Sequence, residues 1–251
     1  MDDSLRDLVL GLAATGIGAA LGWFFRTFLW RRTLRRRQRF LGLPDNAECA
    51  LVVNRDAGKA GAVARADALA LLELSSLVKD CRAGIQVLPA DDARQGFGER
   101  AEFCIGGPVS NPRMEAHLSV LLPGVHVNTE EFGEPDHGVI TVAGKPYGWE
   151  KGRTAHVLLA RLTAESGQRP VFLFCGQTAV ANQAAARYLV RHHLRLARKH
   201  GTDGTFCLLL KVVNDSAYGP DVVELVGDVT RAARTPAPAP QRDAQDSAAS
   251  A

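Results

Sequence analysis

Apolar and polar positions divide this chain into a first stretch that is apolar on all sides and a long remainder that alternates. Residues 8–25 carry no charged side chain, and Phe28, Leu29 and Trp30 prolong the run past Arg26. A run of this length is at the short end of what crosses a hydrocarbon core roughly 30 Å thick, with Arg26 snorkelling toward the interface. Residues 8–30 are therefore expected to form one transmembrane helix. Past Pro44, short apolar runs at 50–53, 85–88, 102–105 and 125–128 predict strands. Between them, 67–78 (with Asp67 as N-cap) and 112–122 (with Asn111 as N-cap and Pro112 at the first helical position) predict helices. Further on, 156–163, 171–175 and 206–213 are rich in Val, Leu and Phe, a long helix is expected over 179–200, and 222–229 suits an edge strand. The Gly-, Pro- and charge-rich section 129–153 predicts irregular chain with a hairpin through 139–142.

Strands separated by helices favour parallel pairing with right-handed crossovers. The predicted fold class is α/β: a single Rossmann-like domain with a mixed, mostly parallel sheet, preceded by the transmembrane helix. The expected organisation is a short N-terminus (1–7), the span (8–30), a basic juxtamembrane segment (31–44), the α/β domain (45–231) and a Pro/Ala-rich disordered tail (232–251).

Charge gives the span a direction. Arg26, Arg31, Arg32, Arg35, Arg36, Arg37 and Arg39 follow the apolar run with no acid among them. Arginine-rich flanks stay on the cytoplasmic side, so the N-terminus is expected outside and the domain in the cytoplasm, at the cell membrane. The arginines attract anionic lipid headgroups, and Trp23, Phe24, Phe25 and Trp30 suit the headgroup depth. A cleaved signal peptide fits poorly, because the charges ahead of the run are mostly acidic and no small-residue cleavage site follows it. A buried core helix would not need the arginines. Along the span Ala14, Gly18 and Gly22 recur every four residues, a small-residue face on which two helices can pair into a homodimer.

The net charge of +3 falls to −4 once the seven collar arginines are set aside, so the domain itself is mildly acidic. That argues against nucleic acid as its partner. Five cysteines, an odd number with no C-x-x-C pair and three of them in apolar runs, suit a reducing compartment.

Ligands of open α/β sheets gather outside the carboxyl ends of strands, where helix N-termini favour anions. Three junctions have the composition for this. Gly106, Gly107, Ser110 and Asn111 follow the strand at 102–105; Gly176, Gln177 and Thr178 follow that at 171–175; Asn54 and Arg55 follow that at 50–53. Each also suits an ordinary capped turn. The loop 91–100, with two glycines and both charge signs, resembles a lid. Its G-x-G-x-x-A match at Gly96 to Ala101 precedes a strand instead of following one, which removes it as a dinucleotide motif. No nucleophile elbow, zinc-protease helix or zinc spacing occurs, and no metal site is expected. Glu73, within an apolar helix, and Glu99 and Glu102 are the acids whose approach to Gly106 would favour catalysis.

The stretch Phe103 to Asn111, with its strand-GGPxSN-helix turn, resembles a motif of uncharacterised bacterial membrane-anchored α/β proteins. The Cys175-Gly176-Gln177 turn and the helix through residues 184–189 are similar to their second half. The resemblance spans about residues 45–230 and implies the α/β fold and no activity. The expected function is a single-pass, membrane-tethered cytoplasmic module that binds or senses a small anionic ligand such as a nucleotide. The alternatives are a nucleotide- or nucleoside-processing enzyme on the same turns, and an interaction scaffold without a small ligand.

Overall fold

Five strands are apolar at nearly every position, which sheets buried on both faces require, and they form the centre of the molecule. The structure, a computed structural model, describes residues 2–54, 62–93, 96–130, 137–163 and 167–236, with the side chains of 2–6 and 9–14 left undescribed. The seven-stranded sheet uses β1 (Glu48–Val53), β2 (Gly84–Pro89), β3 (Ala101–Ile105), β7 (Thr154–Leu162), β8 (Val171–Gly176), β9 (Phe206–Val213) and β10 (Val223–Asp228), in the order β10-β9-β7-β8-β3-β1-β2. β2, β1, β3 and β8 pair in parallel. β7 is antiparallel to both β8 and β9, and β10 closes the edge antiparallel to β9. Five of the seven strands therefore point one way, and the sheet is mixed and mostly parallel.

Helices α2 (Arg65–Asp80) and α4 (Ala179–Lys199) cover one face together with the end of α1 (Asp2–Leu41). The other face carries α3 (Pro112–Leu121), α6 (Thr230–Arg234) and a separate three-stranded sheet of β4 (Val125–Val127), β5 (Ile140–Val142) and β6 (Lys145–Tyr147). α5 (Asp215–Tyr218) is a single turn after β9. β4, expected as a fourth strand of the main sheet, pairs with the 139–142 hairpin instead.

α1 does not stop at Trp30. No glycine or proline occurs from Trp23 to Leu41, and Arg, Leu and Gln propagate a helix well. It ends where Gly42, at φ +69°, takes the left-handed position, with the Leu43 amide bonded to Gln38 O and the Gly42 amide to Arg39 O. A Cβ at Gly42 would collide with the Pro170 ring. Phe40, Leu41 and Leu43 are fully buried. The Phe40 ring lies 5.9 Å from Phe172 and 6.2 Å from Phe206, and Phe172 stacks on Phe103 at 4.8 Å. The segment expected as a juxtamembrane spacer thus ends inside the core. At the other end, α6 extends past residue 231 and buries Ala233; residues 237–251 lie outside the described residues.

Candidate functional site

β1 leaves the sheet through α2 on one face, β3 through α3 on the opposite face, and β8 through α4 on the first. Neighbouring strands whose connections diverge in this way open a crevice at their carboxyl ends. The three junctions singled out in the sequence are the carboxyl ends of these three adjacent strands. Asn54 Nδ2 donates to Ser110 Oγ at 3.0 Å, joining the β1 and β3 turns. Gly106 sits at φ +116°, and a Cβ there would lie 2.7 Å from Asn54 Cβ, so only glycine fits. A Cβ on Gly107 would rest 3.6 Å from Gly176 O, which joins the β3 and β8 turns.

Not every predicted residue is available there. Asn111 is fully buried: its Oδ1 accepts from the Met114 amide, and its Nδ2 donates to Ile105 O and Cys104 Sγ. It caps α3. Thr178 Oγ1 accepts from the Ala181 amide and caps α4. Gln177 Oε1 accepts from the His156 amide, while its Nε2 donates to Gly138 O and Tyr147 O, fastening the small sheet to the large one. These three side chains hold the crevice's walls. Asn54, Gly107 and Ser110 are partly exposed at this junction, and Asn54 Oδ1 is buried with no hydrogen-bond partner among the described residues. Arg55 lies outside the described residues.

Two residues at this junction carry a larger part than the sequence assigned. The Gly176 amide donates to Asn182 Oδ1 at 2.8 Å, and Asn182 Nδ2 donates to Asp67 Oδ1 at 2.9 Å. Asp67 is fully buried. It lies in the first turn of α2, which starts at Arg65 with Ala64 at the N-cap position, so it is not the cap itself. Asn182, a polar residue among alanines on the buried side of α4, was the available signal.

Two of the acids expected to decide for catalysis, Glu73 and Glu102, are committed to ion pairs. Glu73 ties α2 to α4, accepting from Gln183 and from Arg187, which also pairs with Asp221. Glu102, on β3, receives Arg113 in a two-pronged pair at 2.6 Å and 2.6 Å, with His117 Nε2 at 3.0 Å. Burial opposes its charge, but the hydrogen bonds from Arg113 and His117 outweigh burial and hold its pKa below the ordinary value. Glu102, Cys104 and His117 bring potential ligand atoms within 4.8 Å of one another. Arg113 occupies both carboxylate oxygens, and burial raises the Cys104 thiol far above its usual pKa, so the cluster reads as an ion pair that anchors α3. Described residues on either side of positions 94–95 in loop 91–100 are tied down as well: Arg113 donates to Ala93 O, and Phe97 packs edge-on to His117 at 5.7 Å.

In α1, Arg26, Arg31, Arg32, Arg35, Arg36 and Arg39 are exposed, and Arg36 also donates to Ala197 O. Arg37 pairs with Asp80 at 2.9 Å and donates to His193 Nε2, so it serves the domain. Gly18 and Gly22 have open space beside them, and the Ala14 side chain lies outside the described ones. Among the described residues no helix is long and apolar enough to cross a membrane, so the expected span 8–30 is not borne out there; residues 9–14, whose side chains are undescribed, lie at its N-terminal end. All five cysteines are free and buried. Compared with known proteins, the chain matches no family model and no curated protein.

Proposed function

We propose that this chain is a binding or sensor module held at the cell membrane by α1, with its domain on the cytoplasmic side. A small anionic ligand, a nucleotide in the leading case, is held at the carboxyl ends of β1, β3 and β8. The observation that carries this reading is the meeting of the three turns: Asn54, Ser110 and Gly107 converge there, and Asn54 keeps an unspent buried acceptor. The positive end of the α4 dipole suits a phosphate. The arginine collar, the exposed Trp23, Phe24, Phe28 and Trp30, and the apolar run 8–25 support the anchor. The free cysteines accord with a reducing compartment. The buried Asp67, two hydrogen bonds from the Gly176 amide, favours the enzyme as a second reading, since a carboxylate at a ligand crevice can serve as a general base.

The test is a thermal-shift screen of the full-length chain in neutral detergent against nucleotides, nucleosides and inorganic phosphate. The full chain is required because Phe40 and Ala233 belong to the core. A binder raises Tm with concentration, and the shift should vanish in Asn54→Leu. Asn111→Ala would not report on binding, because it removes a helix cap. A flat screen would leave the scaffold reading in place of this one.

A further inference from the structure

The opposite end of the sheet holds a cleft of about 820 Å³ between the end of α1 and the starts of β8 and β9. Its wall contains Arg35, Arg39, Arg161, Arg169 and Arg234 against a single acid, Asp203. Among the described residues none of the five arginines makes an ion pair. Arg169 donates to Gly42 O at 3.4 Å. Arg161 is 2% exposed, the largest fully buried side chain described. Its Nε donates to Phe40 O, Nη1 to Gly204 O and Nη2 to Thr202 O, at 2.8, 2.8 and 2.9 Å. Its guanidinium also lies 5.5 Å from the Phe40 ring centre and 6.0 Å from that of Phe172.

A buried charge normally has a counter-charge. Arg161 has only carbonyls and rings, and burial lowers its pKa to about 10. Three of its five N–H groups are spent, and Asp203 acts on it only at longer range. The carbonyls that hold it come from α1 and from the loop before β9, so Arg161 is fixed in place before any ligand arrives. Preformed guanidiniums facing one cleft suit oxyanions that take bidentate hydrogen bonds.

A second groove of about 920 Å³ borders the same helix and shares Arg35 and Arg39 with the first. Exposed Trp23, Phe24 and Phe28 line it toward the N-terminal part of α1. One ligand chemistry fits a cationic cleft continued by an aromatic groove: a phosphate-bearing head joined to apolar tails.

We infer that the arginine cleft is a selective site for a polyanionic phospholipid headgroup, with acyl chains lying along Trp23, Phe24 and Phe28. This rests on the membrane-held reading above. It differs from general attraction to the collar, since Arg161, Arg169 and Arg234 come from the folded domain and fix where the phosphates sit.

The test titrates full-length protein in neutral detergent with cardiolipin, with phosphatidylglycerol at equal phosphate, and with soluble tripolyphosphate, reading Tm. Cardiolipin should reach half-effect at about a tenfold lower phosphate concentration than phosphatidylglycerol, because its two phosphates are covalently joined. Arg169→Gln with Arg234→Gln should raise that concentration about tenfold, through loss of charge-assisted bonds. Arg195→Gln with Arg231→Gln, exposed and outside both grooves, should change it less than about twofold, since a diffuse surface charge acts weakly. Equal weakening by both pairs, no response to cardiolipin, or equal potency of tripolyphosphate would each overturn the inference. The titration needs no bilayer. Its failure, with the chain still retained in carbonate-washed membranes, removes the cleft alone; release from those membranes removes the anchor.

Discussion

Replacing Arg113 by methionine tests how the walls of the crevice are held. Glu102 is 2% exposed and Arg113 12%, and two bonds of 2.6 Å join them. Removing the guanidinium leaves a buried carboxylate with His117 as its remaining side-chain partner, 3.0 Å away. Breaking such a pair from one side costs about 3–5 kcal/mol, and His117 places this case near the lower end. For a domain of this size each kcal/mol moves Tm by roughly 2–4 °C, so Arg113→Met should melt about 6–12 °C lower by circular dichroism. The double variant Glu102→Met with Arg113→Met removes both charges and should recover part of that loss, leaving a coupling energy of about 2 kcal/mol or more. The pH dependence has a defined sign. Folding lowers the Glu102 pKa below its ordinary 4.5, so the pair's stabilisation is complete above that value and is lost as pH falls through the folded pKa. Additive losses in the double variant, or an acid limb that Glu102→Gln leaves unchanged, would mean that the pair does not hold α3 in place.

Three further outcomes are expected. Thr178→Ala removes the cap of α4 and should lower stability by about 1 kcal/mol, while Thr178→Ser should restore most of it in the same melt. His193 Nε2 accepts from Arg37 while its Nδ1 faces Val190 O, an arrangement that requires the neutral ring. Burial, with Arg37 nearby, lowers its pKa below 6.5, so its stabilisation holds above pH 6.5 and fades as pH falls through the folded value; His193→Gln should flatten the Tm-against-pH curve in that region. Gly18→Leu with Gly22→Leu fills the open small-residue face of α1 and should reduce self-association in membranes, read by energy transfer between labelled chains; an unchanged dimer fraction rules out pairing through that face.

Legibility followed the range of the interactions. β1, β3 and β8 were readable because a strand covered on both faces must be apolar throughout, and their terminal Gly, Asn and Ser residues mark the turns. The direction of β7 was not readable, since the long connection over residues 129–153 delivers a strand either way. The continuation of α1 into the core was hidden because its last turns carry arginines, while the partners of Phe40 lie more than a hundred residues away, at Phe172 and Phe206. At the crevice the glycines were legible from local backbone demands. The commitment of Gln177 was not, because its bonds reach Gly138, Tyr147 and His156. Arg161, one cation in the apolar run of β7, gave no hint of the four other arginines that fold around the same cleft.

Alkaline carbonate extraction of membranes from cells expressing the full chain tests most directly whether α1 holds the domain at the bilayer. If α1 is the anchor, the protein stays entirely in the washed membrane pellet and its domain is degraded by protease only after the cytoplasmic face is opened. Recovery of the chain in the carbonate supernatant, or cleavage of the domain in intact cells, would contradict it.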